Sequence, residues 1–202
     1  QGSGYQNQKW GTERKVADTF EGYDFPIIRY AEVLLNYAEA MYELGTTGKA
    51  LDDALNISLN LVRLRVNPDM PKLTTSFASE NSLNMREEIR RERTIELYNE
   101  GFRVDDLKRW NAMKLMENPK TMFGLKITPT VEKEYEAVNV TFGGDKGRPV
   151  IEYQGAIYLY QYPSKAIDDA GRKWSNDDRR WLYRWPTNEL VLNPNLVQNP
   201  NW

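Results

Sequence analysis

Apolar residues recur at helical spacing from residue 27 to residue 66, in runs divided by glycine and proline. Ile27, Ala31, Leu34, Ala38 and Met41 form one stripe, and Tyr30, Val33, Tyr37, Ala40 and Leu44 form a second. Arg29, Glu32, Asn36, Glu39 and Glu43 fall on the remaining, polar face. The spacing predicts a helix over 27–44, with Pro26 in its first turn and Gly45 as its stop. Two adjacent apolar stripes predict packing against more than one neighbour. Leu51, Leu55 and Val62, then Ala54, Ile57, Leu61 and Leu64, predict a second helix over 49–66. Asn67-Pro68 ends it, because a residue before proline avoids the helical region. The short connection makes the two an antiparallel hairpin.

Residues 67–81 read as a loop, with Ser79 or Ser82 as the cap of a third helix. That helix runs to a glycine stop at Gly101, and a fourth begins at once. Here the pattern turns unusual. At ~100° per residue, Met85 and Ile89 set an apolar stripe, and Glu92, Glu96, Glu100 and Arg103 continue it. A buried carboxylate without a partner is very costly. These acids therefore either face water as a charge-laced surface or meet cations inside. Arginine is the apt partner, because its planar fork holds a carboxylate through two hydrogen bonds. Arg63 and Arg65 on the second helix, Arg29 on the first, and Arg103 or Arg109 nearby are the candidates. Under this reading Glu96→Ala destabilises more than Glu39→Ala, which lies on the polar face.

Beyond Asn118 the helical period fades, with Pro119, Gly124 and Pro129 as breakers. Alternation over Tyr135–Phe142, with Val138, Val140 and Phe142 on one side, predicts a strand. GGDKG at 143–147 is a turn. Residues 149–153 and 156–162, joined by Gln154-Gly155, read as a hairpin. Residues 163–180 read as a polar loop with a short helix after Ser164. Asn193-Pro194 and Asn199-Pro200 predict an extended tail. Residues 1–24, with Tyr5, Trp10 and Phe20, read as an irregular lead-in.

Composition narrows the chemistry. The 202 residues suffice for a sizeable core. Net charge is -2 and no face is visibly basic, which argues against nucleic acid. The absence of histidine removes histidine-dependent catalysis and imidazole metal ligands. The absence of cysteine removes disulfides, thiol nucleophiles and zinc–thiolate sites. No apolar run reaches the roughly 18 residues of a membrane helix.

Glu92 and Glu96, one turn apart, meet the carboxylate separation of about 5 to 10 Å that glycoside hydrolysis uses. The surrounding arginines, however, hold acids ionised, which spoils a general acid. No catalytic residue and no cofactor is therefore expected. Asp168-Asp169 and Asp177-Asp178 lack the alternation and glycine of a calcium loop, so no metal is expected either.

Binding chemistry rests on the aromatics: six tryptophans, twelve tyrosines and six phenylalanines. Aromatic faces suit the apolar faces of sugar rings, and ring-edge hydroxyls suit Asn, Asp and Arg. The densest group is Trp174, Trp181, Tyr183 and Trp185, interleaved with Arg172, Asp177, Asp178, Arg179, Arg180 and Arg184. Trp174, Trp181, Trp185, Arg179 and Asp177 are the candidate ligand contacts. The competing reading is that these rings pin the tail in place. Trp110, in phase with Leu107, is expected in the core.

The ordered series Glu92-Arg93, Glu96-Leu97, Glu100-Gly101, Arg103, Asp106-Leu107 and Arg109-Trp110 closely resembles the signature of the SusD/RagB family. Those proteins are outer-membrane nutrient-binding lipoproteins of Bacteroidota-type bacteria. DFPIIRYAEVLLNYAEAMYELG, at 24–45, resembles the family's lead helix, and Asn60, Val62, Arg63 and Arg65 match the next. Val66-Asn67 stands where Ala-Gly is usual. The tail WLYRWPTNELVLNPNLVQNPNW is also similar, with Trp185-Pro186 and Asn201 as departures. The resemblance covers about 22–116 and 181–202. It implies a mainly α fold of tetratricopeptide-like hairpins in an α-α superhelix, with a small antiparallel β element and an extended tail. One domain over 1–202 is expected, helical over 25–116 and loop, strand and tail over 117–202.

Apart from the resemblance, the in-phase acids give Glu92, Glu96, Glu100, Arg63, Arg65 and Arg103 as a structural ion network. The resemblance further implies non-catalytic capture of a glycan or an oligopeptide at the cell surface. The partners would be a TonB-dependent outer-membrane transporter and an N-terminal region of the same protein, through which a lipid anchors it. A structural protein-interaction module without its own ligand site is the alternative.

Overall fold

The structure is a computed structural model that describes residues 9, 26–144, 146–161 and 173–202. It is mainly helical with one small antiparallel sheet. The chain divides into two compact units, Thr12–Asp106 and Leu107–Trp202 with Gln1–Gly11, and each is described by itself. The lead-in aromatics Tyr5, Trp10 and Phe20, together with Asp168, Asp169 and Arg172, lie outside the described residues. So does most of the 163–180 loop, including the short helix expected after Ser164.

The helical unit begins with α1, Tyr30–Glu43, three residues later than its period predicts. Arg29 is extended (φ -109°, ψ 147°), its guanidinium tied to Glu96 and Glu100, so the helix starts after it. Ile27 and Ile28 are left outside and exposed. α1 buries Ala31, Leu35, Ala38 and Glu39, with Leu34 and Tyr42 half-buried beside them. The second stripe, Tyr30, Val33, Tyr37 and Leu44, is exposed. The packing of α1 against α2, α3 and α5 takes only one side of it. Glu39, placed on the polar face by its sequence phase, is thus a buried acid, and Glu39→Ala is no surface reference for Glu96→Ala.

The second predicted helix is two: α2, Gly48–Asn56, and α3, Leu59–Val66. Ser58 breaks it. Its hydroxyl donates to the Ala54 carbonyl at 2.6 Å, and its backbone (φ -136°, ψ -99°) leaves the helical region. Asn67 ends α3 in extended conformation before Pro68, as expected. Asn60 is fully buried; its amide donates to the Leu73 carbonyl (3.0 Å) and accepts from the Leu73 N–H (2.7 Å). That double bond fixes the loop that carries the fully buried Leu73. The core of this unit gathers Leu35, Leu55, Leu59, Leu73 and Ile89.

α4, Thr75–Glu80, is capped by Thr74. α5, Met85–Glu96, is capped by Asn84, whose side chain accepts from the Glu87 N–H at 3.2 Å. Ser79 and Ser82 do not cap it: Ser79 lies inside α4 and Ser82 sits in the turn at φ 53°. α5 stops at Glu96, before the expected glycine. Asn99 (φ 61°) and Gly101 (φ 89°) then turn the chain into α6, Arg103–Arg109.

In the second unit, two 3-10 turns at Met113–Glu117 and Pro119–Met122 lead into β1, Phe123–Ile127. The strand expected at 135–142 is not formed. Thr128 caps α7, Pro129–Glu136, and proline at its first turn starts a helix where the sequence suggested only a break. Phe142 makes a single bridge to Arg148. The expected hairpin is present as β2, Val150–Tyr153, and β3, Ala156–Tyr160, turning at Gln154 (φ 49°) and Gly155 (φ 73°). The sheet order is β1-β3-β2, antiparallel throughout. Phe123 stacks on Tyr158 with ring centroids 4.5 Å apart. The tail is not wholly extended: a 3-10 turn, Arg179–Trp181, precedes α8, Thr187–Leu192. Trp110 is half-buried rather than core, with the Arg109 guanidinium over its ring at 4.8 Å.

Candidate functional site

Two groups of side chains carry the candidate chemistry, one in each unit. In the helical unit, α5 and the turn after it present three acids to guanidinium groups. Arg63 donates to Glu92 at 2.9 Å, the two side chains being 4% and 11% exposed. Arg63 also donates to the Pro71 carbonyl at 3.1 Å. Arg29 forks across Glu100, with bonds of 2.6 and 2.8 Å, and reaches Glu96 at 2.9 Å. It also donates to the Glu96 carbonyl at 3.1 Å. Arg65, more than half exposed, closes on Glu96 at 2.8 Å from the solvent side. Arg103 donates to the Thr94 hydroxyl at 2.8 Å.

A further pair was not among the sequence candidates. Arg93 and Asp106 are both buried and bonded at 2.8 Å, and Arg93 also donates to Asn36. A partial signal was present: Arg93 falls one turn after Ile89 and one turn before Leu97. Asn36 falls on the polar face by its sequence phase, which hid the pairing.

Burial pushes the Glu92 carboxyl above its ordinary value, against the opposing pull of Arg63. The hydrogen bonds that Arg29 donates to Glu100 raise the guanidinium further into its charged range. The folded protein therefore holds the Glu92 proton more tightly than the unfolded chain does. The contribution of Glu92 to stability is therefore fully present below the ordinary carboxylate range and is lost as pH rises through the raised value. Glu92→Gln removes that titration. The difference in Tm, wild type minus Glu92→Gln, is expected to narrow as pH rises from about 4 to about 7 in thermal melts. A difference that widens instead would mean that Arg63 outweighs burial.

In the second unit the predicted aromatic group is brought together only in part. Trp174 and Trp181 meet edge to face, centroids 5.5 Å apart. The Arg180 guanidinium lies 4.1 Å over Trp174, and the Trp181 ring N–H donates to the Ser175 carbonyl at 2.8 Å. Arg180 is locked to Asp178 through Nε at 2.8 Å and a second nitrogen at 2.5 Å. That lock holds the Asp178 carboxyl below the usual range. Asp177 is exposed, and a hydrogen bond from Ser175 lowers its carboxyl too. Trp185 stands apart from the tryptophan pair in its contacts: its backbone is clasped by Gln198, which accepts at 2.9 Å and donates at 3.1 Å. The Lys108 ammonium sits 4.0 Å over Tyr183.

Arg179 stacks not on any predicted ring but on Trp202, 4.9 Å from its centroid. With Asp178, Arg180 and Asn201 they line an open cleft of about 580 Å³. Trp202 was not a sequence candidate, because neither its period nor its neighbours mark it. The Trp181 ring N–H and the Trp174 ring face are thus met within the tail, which fits anchoring for both rings, while the Trp174 ring N–H is buried without a hydrogen-bond partner among the described residues. The 178–180 and 201–202 cleft is the part left open.

Residues 1–202 match the family model SusD_RagB, described as the SusD family. No curated protein and no solved structure matches the chain.

Proposed function

The chain belongs to the SusD family, and from that premise we propose that it is a non-catalytic nutrient-binding protein. It captures a glycan, or an oligopeptide, at the outer face of the outer membrane, where a lipid anchors it. It hands the ligand to a TonB-dependent transporter, and no bond is made or broken. The family match over 1–202 is the observation that carries this reading. The site chemistry supports it. Glu92 and Glu96, the acid pair spaced for hydrolysis, are both engaged by guanidinium groups and shielded, a setting that suits holding helices together rather than meeting a sugar. The helical unit then acts as a scaffold, and the aromatic tail offers the binding surface.

Calorimetry against a panel of neutral and acidic polysaccharides and oligopeptides tests it. Saturable binding to one class, with the ligand recovered unchanged, is the expected result. Failure of every glycan and every oligopeptide to bind would remove the reading. A second reading, a protein-interaction module without its own ligand, is favoured by the exposed stripe Tyr30, Val33, Tyr37 and Leu44 on α1. Capture of the transporter with no effect of any ligand would favour it.

A further inference from the structure

We propose that the cleft of Asp178, Arg179, Arg180, Asn201 and Trp202 is a subsite for an acidic sugar residue, a uronate within an oligosaccharide. The inference rests on the glycan-binding reading and names the ligand class within it. The first argument is charge. Arg180 and Asp178 neutralise one another through two short hydrogen bonds. Arg179 is exposed and its contact is the Trp202 ring. Among the described residues, the cleft therefore carries one guanidinium, that of Arg179, whose fork is not taken by a carboxylate. A stacked guanidinium keeps its in-plane N–H groups free, and these match a carboxylate bidentately.

The second argument is shape. The Trp202 ring N–H donates to the Leu182 carbonyl at 3.0 Å, which fixes the indole plane. Roughly two fifths of the residue is still exposed (42%), so ring surface remains for the C–H face of a pyranose. Asn201 is held by its amide donor on the Asp177 carbonyl at 2.6 Å, in left-handed backbone (φ 67°). Its side-chain oxygen is left to accept from a sugar hydroxyl. A guanidinium, an aromatic face and an amide oxygen around one open cleft of about 580 Å³ suit one acidic ring of a longer chain. Among the described residues that line the cleft, Trp202 is the one apolar side chain, where a peptide's apolar side chain would use a deeper wall.

The test is calorimetry with an oligogalacturonate and its fully methyl-esterified counterpart of the same length. The free acid is expected to bind at least about tenfold more tightly than the ester, and to weaken with added salt. Arg179→Gln should remove that preference, lowering acid affinity about tenfold and leaving the ester unchanged. Trp202→Ala should weaken both. Arg179 is exposed, so an unaltered Tm is expected for Arg179→Gln. The acid–ester comparison on the unmutated protein decides the matter even if a variant fails to fold. Equal affinity for acid and ester, or acid binding that ignores Arg179, would overturn the proposal. Displacement of oligogalacturonate by an acidic peptide that needs Arg179 more than the sugar does would overturn the sugar class. If a neutral glycan binds and oligogalacturonate does not, this inference fails while the nutrient-binding reading stands. If nothing in the panel binds, both fall.

Discussion

Arg63→Ala is expected to lower the unfolding free energy by about 3–5 kcal/mol, read from urea or guanidinium denaturation. The guanidinium is almost fully buried and has two jobs: it neutralises Glu92 and it caps the Pro71 carbonyl. Removing it strands a carboxylate that burial already penalises. The cost is that of an uncompensated buried charge, which far exceeds the worth of the pair itself. The double replacement Arg63→Met with Glu92→Leu should therefore be much milder than Arg63→Ala alone. Lys49→Ala sets the surface scale: its bond to Asp53 joins two exposed side chains, and its loss should change stability by about 0–1 kcal/mol. A single Arg63→Ala no worse than Lys49→Ala would mean that water reaches Glu92 freely.

Arg29→Ala should be of similar severity, about 3–5 kcal/mol, because one side chain serves two shielded acids. Glu100 loses a bidentate partner, and Glu96 loses its shielded guanidinium while the exposed Arg65 still reaches it. The same residue holds the entry to α1 in its extended state, so the loss should also fray that helix end. Arg65→Ala removes the exposed member of the same group and should cost about 0–1 kcal/mol. Parallel melts of the two variants check the contrast; equal shifts would contradict the view that Arg29 is the inner clasp.

The sequence made the helical runs legible, because their apolar positions repeat with the helical period and end at Gly45, Pro68 and Gly101. It also made the in-phase acids of α5 legible as anomalies, since a carboxylate at a core position demands an explanation. Which arginine serves which acid was not readable, for that depends on where α1 and α3 cross α5. Periodicity could not say which of two stripes on α1 would be covered. Leu35 belonged to neither, lying between the first stripe and the polar face, and it is fully buried. The break at Ser58 was hidden because a hydroxyl bonding back to the preceding turn leaves no mark in the apolar pattern. Pro129 misled for a different reason: proline both ends helices and starts them, and here the Thr128 cap decided for a start. In the tail, composition located an aromatic and arginine cluster, yet the ring that Arg179 covers is the remote Trp202. Long-range stacking of that kind has no local signature.

The claim under all of this is that the acids of α5 and its following turn are internal fasteners of a scaffold. A double-mutant cycle on Arg29 and Glu100, using Arg29→Ala, Glu100→Ala and the pair in denaturant unfolding, tests it most directly. The account predicts a coupling energy of about 1–3 kcal/mol, within the range seen for residues in one ion-pair network. A coupling near zero, with the two single losses simply adding, would contradict it.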